Sequence, residues 1–256
     1  MDSHQEKIIE QFTRQAIPFA QVAGHHNALD VLIGLARPDR QDTVLDVACG
    51  PGIVACAFAG HCRSVVGLDV TPAMIEQAQN RQIEQGLTNV SWQLGTCLPL
   101  PYSDHAFSVA TTRYSFHHFQ QPAEVLAEMI RVCRPGGRVV VADVAMEPEK
   151  SQAFDQLEIM RDPSHVHALT TDEFEGLMRQ SGLEDCRKAH YEVEIELEAQ
   201  LRASFPLPGD VERLRTMITE DVGINRLGVA AQRKNGQIWY AVPVAAYVGV
   251  KRTGGV

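Results

Sequence analysis

The stretch Thr43-Val44-Leu45-Asp46-Val47-Ala48-Cys49-Gly50-Pro51-Gly52 decides the fold. Its first half is a β-branched, apolar strand signal, and its second half is a run of small residues whose glycines allow a tight turn against a ligand. The apolar run that follows, Ile53-Val54-Ala55-Cys56-Ala57-Phe58-Ala59, reads as a helix. Working outward, Ser64-Val65-Val66-Gly67-Leu68-Asp69 is a second strand leading into Thr71-Pro72, a helix cap followed by proline at the first helical position. Val90-Ser91-Trp92-Gln93-Leu94 and residues 107–112 are third and fourth strands. Pro122 opens a helix whose Val125, Leu126, Met129, Ile130 and Cys133 share one face, and Pro135-Gly136-Gly137 ends it. The fifth run, 138–143, is almost wholly apolar, as a strand covered on both faces must be. Strand and helix alternating over short connections predict a doubly wound, Rossmann-like α/β sheet, with ligands at the carboxyl ends of its strands.

The later chain is less regular. Thr170-Thr171-Asp172-Glu173 reads as a capping box opening a helix that stops at Gly182. Residues 191–197 alternate with period two and predict a half-exposed strand paired with 238–248, which makes the last strand antiparallel in a mostly parallel sheet. The segment of about 199–237, with a helix over 211–222, reads as inserted rather than core. The expected organisation is one domain over 1–256: an N-terminal helical lid (1–40), a cofactor-binding core (41–190), and the last strands with the inserted cap (191–256).

Composition bounds the function. The 256 residues are 45% hydrophobic and 21% charged, enough for a large core, and the net charge of -9 disfavours nucleic acid. No apolar run approaches a membrane span and the start is too polar for a secretory signal, so a soluble, cytoplasmic protein without membrane insertion is expected, as monomer or homodimer. Cys49, Cys56, Cys62, Cys97, Cys133 and Cys186 form no CxxC, so reduced thiols are expected and no metal site.

The glycine loop lacks the three-glycine spacing of a dinucleotide site, and Pro51 has no N–H to give a pyrophosphate. Asp69 lies 23 positions after Asp46, at a strand end where a carboxylate can accept both hydroxyls of a ribose. An adenosine-containing ligand without a pyrophosphate fits both features.

VLDVACGPG (44–52), VVGLDVTPAM (65–74), FHHF (116–119) and EMIRVCRPGGRVVVAD (128–143), in that order, resemble the class I S-adenosylmethionine-dependent methyltransferases, within them the UbiE/Coq5-like small-molecule enzymes. The resemblance is strong over about 40–145, continues through RDPSHV (161–166), and fades after about 190. It implies S-adenosylmethionine as cofactor. Ala48, Gly50 and Gly52 would then lie beneath its amino-acid part, Asp46 would hold the ammonium group directly or through water, Asp69 the ribose, and Val70 and Met74 would flank the adenine. Thr96, with the backbone of Cys97, stands where the family commonly has an aspartate reaching the adenine amino group, and Ser108 replaces another aspartate; both departures bear on cofactor affinity. Arg113 would sit near the sulfonium and carboxylate end.

Methyl transfer is an in-line displacement at a carbon already activated, so the protein must chiefly align the nucleophile and, where it carries a proton, remove it. Candidate bases are His117, His118 and His165, with Tyr114 at the same mouth and Asp143 placed to orient His165 or His167. Phe12, Arg14, Gln15, Phe19, His25 and His26 resemble the family's cover over the cofactor, while Phe205, Leu207 and Met217 are candidates to line an apolar acceptor pocket. The Glu192, Glu194, Glu196 and Glu198 series reads as a solvated strand face. The expected acceptor is a small molecule, quinone-like, aromatic or from secondary metabolism, attacking through C, O or N. Two other readings remain open here: a cofactor-binding protein that promotes cyclisation or rearrangement, and a non-catalytic binding module.

Overall fold

The computed structural model describes residues 3–21 and 28–253. Two helices, α1 (Ser3–Gln21) and α2 (Leu29–Ala36), precede the first strand β1 (Thr43–Val47). Alternation then runs through α3 (Ile53–Ala59), β2 (Ser64–Asp69), α4 (Pro72–Glu84), β3 (Val90–Leu94), β4 (Phe107–Arg113), α5 (Pro122–Val132) and β5 (Cys133–Val144). After α6 (Pro148–Arg161) and α7 (Thr171–Gln180) come β6 (Glu184–Glu196), α8 (Leu197–Ala203), α9 (Asp210–Glu220), β7 (Gln232–Lys234) and β8 (Gln237–Val250).

The sheet order is β3-β2-β1-β4-β5-β8-β6, with β1 to β5 parallel and β8 antiparallel to both its neighbours. Alternate side chains on a strand point to opposite faces. On β5, Val140 and Ala142 therefore join one apolar cluster while Val139 and Val141 join the other. Strand order reverses between β1 and β4, and the crevice at such a reversal is where ligands bind in open α/β sheets. The small-residue loop after β1 lies at that reversal.

The outer strands build a second feature. Pairing of β5 with β8 stops at Val144↔Val244, whereas β6 and β8 remain paired as far as Glu196↔Trp239. The two strands thus overhang the carboxyl end of the parallel sheet, and the twist of a two-stranded ribbon curls such an overhang over the strand ends. The segment between β6 and β8 corrects the expectation of an inserted piece apart from the core. Leu201, Leu214, Ile218, Leu227 and Val229 are buried within the larger apolar cluster, because α9 packs on α6 and α8 on the strands.

Local signals held where the partner is within a few residues. The Thr170–Glu173 capping box is present with both of its hydrogen bonds, and Pro122 stands at the first turn of α5. Thr71 is a correction: its hydroxyl makes no cap, and the Thr71 N–H is taken by Asp69 Oδ1 at 2.8 Å. Glu194 on β6 pairs with Lys234 and Glu198 on α8 with Arg215, while Glu196 accepts from the first N–H groups of α8. All six cysteines are free thiols.

Candidate functional site

Ala48, Gly50 and Gly52 have φ of +54°, +50° and +75°, so the loop after β1 winds through left-handed backbone. Asp69 staples it. Its Oδ2 accepts from the Gly50 N–H at 2.8 Å while Oδ1 holds the start of α4, and burial raises its pKa against those backbone donors. The glycines differ in role. A Cβ on Gly50 would meet nothing within 4 Å, whereas one on Gly52 would lie 2.5 Å from the Trp92 ring and 2.9 Å from Ala78 Cβ. Gly52 therefore seats the loop against β3 and α4, away from the cavity it was expected to floor. Gly52→Ala is expected to cost about 1–3 kcal/mol, measured as a lower urea midpoint, while Gly50→Ala bears only the strain of its positive φ.

The loop borders a cavity of about 390 Å³ at the carboxyl ends of β1, β2 and β4. Ala48, Gly50, Asp69, Val70, Met74, Thr96, Cys97 and Arg113 line it, as do Tyr114 and His118. Asp46 stands behind the loop, 1% exposed, with Oδ2 buried and unpartnered. Burial raises its pKa to about 7, against the opposing pull of Arg113. The roof is α1, which contributes His4, Gln5, Ile8 and Phe12. His4 Nε2 donates to the His118 carbonyl at 2.8 Å, and the Phe12 ring meets the His118 ring edge to face. Arg14 pairs with Glu10 on the outer side of α1, while His25 and His26 lie outside the described residues, as does the side chain of Phe19.

A smaller chamber of about 80 Å³ adjoins the first, and Phe12, Tyr114 and His118 line both. The β6–β8 overhang supplies its Val193, Ile195, Tyr240 and Val242, α6 its Phe154, Glu158 and Arg161, and the chain after β4 its His117. His117 Nδ1 donates to Asp143 Oδ1 at 2.6 Å, and Asp143 also accepts from the N–H groups of Phe116 (2.5 Å) and Val144 (2.6 Å). Burial pushes the His117 pKa down, but the Asp143 carboxylate more than reverses this and the net shift is upward. Asp143 is held below its ordinary range although burial opposes this, because His117 and two backbone donors face it. His118 is pushed down, first by burial and then by His117, and stays neutral, with Nδ1 against the Ser164 carbonyl at 3.0 Å.

Asp143 thus orients His117 in place of His165 or His167. His165 lines neither cavity: its Nε2 faces Asp155 at 2.7 Å, where α6 brings that carboxylate beside the loop. His167 bridges Asp155 and Glu173. Tyr114 has φ +58°, and its hydroxyl donates to Tyr191 Oη at 3.0 Å. Phe205 and Leu207 are exposed and Met217 packs on the core, so none of the three reaches a cavity. Among the described residues no three His, Cys, Asp or Glu cluster as metal ligands would, and no helix is long and apolar enough to cross a membrane.

A family model described as a methyltransferase domain matches residues 45–141. The uncharacterized methyltransferase YcgJ of Bacillus subtilis is 30% identical over 172 residues, covering 66% of this chain and 68% of that protein. The chain belongs to the class I S-adenosylmethionine-dependent methyltransferases. The crystal structure of YcgJ matches this methyltransferase with a TM-score of 0.80 at 26% identity, over 90% of this chain and 100% of the other. The ubiquinone/menaquinone biosynthesis C-methyltransferase UbiE of Ruegeria sp. is 34% identical over 123 residues, 46% of this chain and 49% of that protein. The 27-O-demethylrifamycin SV methyltransferase of Amycolatopsis mediterranei is 28% identical over 159 residues, 60% and 58% of the two chains. The methyltransferase thus spans about half the length of the UbiE relative, and it is of the UbiE-like type.

Its residues fit S-adenosylmethionine on three observations. An orphaned carboxylate oxygen of Asp46 lies behind the loop, Gly50 leaves open space where a side chain would stand, and the buried acid that ends β2 lines the cavity. The two departures from the family pattern separate in space. Thr96 lines the cavity and gives its hydroxyl proton to the Leu98 carbonyl at 3.3 Å, which leaves its oxygen as an acceptor. Ser108 exchanges hydrogen bonds with Thr43 at the amino ends of β4 and β1, the opposite edge of the sheet from the cavity. The expectation that Ser108 bears on cofactor affinity is corrected on that geometry.

Proposed function

We propose that this methyltransferase holds S-adenosylmethionine in the larger cavity, takes a small-molecule acceptor into the chamber beside it, and uses His117 as the base. The observation that carries the reading is the shared wall: Phe12, Tyr114 and His118 face both spaces, and the His117–Asp143 pair opens on the second. Under this reading Ala48 and Gly50 lie beneath the amino-acid part of the cofactor, Asp69 accepts from the ribose hydroxyls, and Val70 and Met74 flank the adenine. Thr96 oxygen and the Cys97 N–H meet the adenine edge, Arg113 meets the carboxylate, and Asp46 meets the ammonium group. The cofactor supplies a methyl group already activated by a sulfonium.

The chain's own work is then alignment, water exclusion and one proton transfer. With the cofactor bound, an acceptor atom displacing S-adenosylhomocysteine from the methyl group would give up its proton to His117 Nε2, and Asp143 would stabilise the imidazolium that results. Helix α1, roofing both spaces through Phe12, keeps water from the reacting pair. The names of two relatives, a C-methyltransferase of ubiquinone/menaquinone biosynthesis and a 27-O-demethylrifamycin SV methyltransferase, support a small-molecule acceptor here.

Asp46 sets a pH dependence for the first step. Its carboxyl is neutral below about 7, and only the ionised form attracts an ammonium group. Affinity for S-adenosylhomocysteine should therefore rise about tenfold between pH 6 and pH 8, measured by calorimetric titration. A flat profile in a protein that binds the ligand would remove Asp46 from the ammonium site. The reading as a whole is tested by release of S-adenosylhomocysteine from S-adenosylmethionine across a panel of acceptors, with His117→Gln in parallel.

A further inference from the structure

Tyr114 stands in backbone that tyrosine rarely adopts. It follows Arg113, the last residue of β4, and its φ of +58° lies in the left-handed region, where a bulky side chain is crowded against its own backbone. Glycine or asparagine would turn the chain there at less cost. Such strain persists only where the surroundings over-determine it, and it gathers at ligand sites.

The surroundings of Tyr114 do fix it. Its N–H donates to the Ala142 carbonyl at 2.9 Å, the Arg113 guanidinium lies 4.6 Å from the centre of its ring, and its hydroxyl donates to Tyr191 Oη at 3.0 Å. The first contact is open to almost any residue, but the other two need this side chain in this turn. Along an extended strand, neighbouring side chains point to opposite faces. The left-handed step at Tyr114 instead brings its ring back against Arg113 and into the wall shared by the two cavities. Arg113 is 8% exposed and lines the larger cavity. A guanidinium so far removed from water is held firmly by the negative face of an aromatic ring, so the position of the ring decides where the guanidinium points.

Tyr191 is the far anchor of this arrangement. It lies on β6 opposite Val244, the β8 residue at which pairing with β5 stops, and therefore in the row where the overhang begins. It borders neither cavity. Without its oxygen the Tyr114 hydroxyl would lose this acceptor, and the strained turn would lose its hold at the distal end of the side chain.

We propose that Tyr191 is a positioning residue for the cofactor: through the hydroxyl pair it holds the Tyr114 ring, and through the ring it aims the Arg113 guanidinium at the cofactor's carboxylate. This rests on the role given to Arg113 above and adds a determinant of cofactor affinity that touches no ligand and lies outside the family-matched residues 45–141. Tyr191 then acts on the amino-acid part of the cofactor alone and leaves the ribose and adenine contacts as they are.

The test compares two ligands by calorimetric titration of the full chain. S-adenosylhomocysteine carries the amino-acid part, whereas 5′-methylthioadenosine keeps the adenine, ribose and sulfur without it. Tyr191→Phe is expected to weaken S-adenosylhomocysteine by about fivefold or more, as the loss of one hydrogen bond would. Binding of 5′-methylthioadenosine should be unchanged, which also reports that the variant is folded. In an Arg113→Gln background the same substitution should alter the affinity for neither ligand. Equal weakening of both ligands, as a merely structural role would give, an unchanged affinity for S-adenosylhomocysteine, or an effect undiminished in Arg113→Gln would each overturn the assignment. The wild-type titrations, recorded first, test the reading beneath it. If S-adenosylhomocysteine does not bind, the cofactor placement falls, and if 5′-methylthioadenosine binds as tightly, the role of Arg113 falls; either result takes the proposal with it.

Discussion

Asp69→Ala is expected to weaken binding of S-adenosylhomocysteine by about two orders of magnitude or more, from two losses that act together. Hydrogen bonds to a charged acceptor contribute about 1.5–3 kcal/mol each, and two ribose hydroxyls meet this one carboxylate in the proposed complex, so about 3 kcal/mol, or roughly a hundredfold, is at stake. The second loss precedes the ligand: the Gly50 and Thr71 N–H groups lose the acceptor that fixes the loop over the cavity. Asp69→Asn separates the two, because an amide keeps the volume but can offer only one acceptor oxygen to those donors. Calorimetry on both variants, with thermal unfolding beside it, is the check; an Asp69→Ala protein that binds within threefold of wild type would remove the ribose role.

His117→Gln is expected to lower kcat by about 10²–10⁴ for an acceptor that carries a proton, with little change in cofactor affinity, since His117 lines only the smaller chamber. The pH profile gives a sharper reading. A base must be neutral to act, and burial together with the stronger, opposing pull of Asp143 leaves the His117 pKa above its ordinary value. The rate should therefore rise with pH and level off past an inflection higher than about 6.5. Asp143→Asn removes the larger upward pull and leaves burial opposed only by the weaker pull of Glu158, so the inflection should move to lower pH while the maximum rate falls. An inflection that stays in place, or a His117→Gln enzyme as fast as wild type, would make the pair structural. Asp143→Ala is the wrong variant for this purpose, because orphaning the N–H groups of Phe116 and Val144 beside an unpaired His117 removes a buried pair, a change that typically costs about 3–5 kcal/mol.

How far the sequence carried the site depends on the distance between partners. The loop after β1, the acid ending β2 and the Thr170 capping box were legible because each is written in a few neighbouring residues whose spacing matches a strand end, a turn or a helix start. Thr71 does stand at the N-cap position before Pro72, but its hydroxyl accepts from no N–H of the first turn, and Met74 N–H goes to the Thr71 carbonyl instead. The histidines show the limit more clearly. Four of them, His117, His118, His165 and His167, lie in two short segments and look alike as sequence, yet one faces Asp143, one the Ser164 carbonyl, and two share Asp155. Nothing in either segment signals which carboxylate each will meet.

The chamber wall was beyond reach for a related reason. Phe154, Glu158 and Arg161 share a face of α6 through their i, i+3 and i+4 spacing, but what that face meets depends on the overhang of β6 and β8. By itself the sequence determined the parallel α/β core, the small-residue loop after its first strand and the acid at the end of its second, because periodicity and backbone freedom act over a single turn or strand. Only the tertiary structure decided which histidine is paired, which glycine packs and which faces open space, and where a second chamber opens. Those outcomes depend on the lengths by which distant strands overrun one another and on the burial that follows.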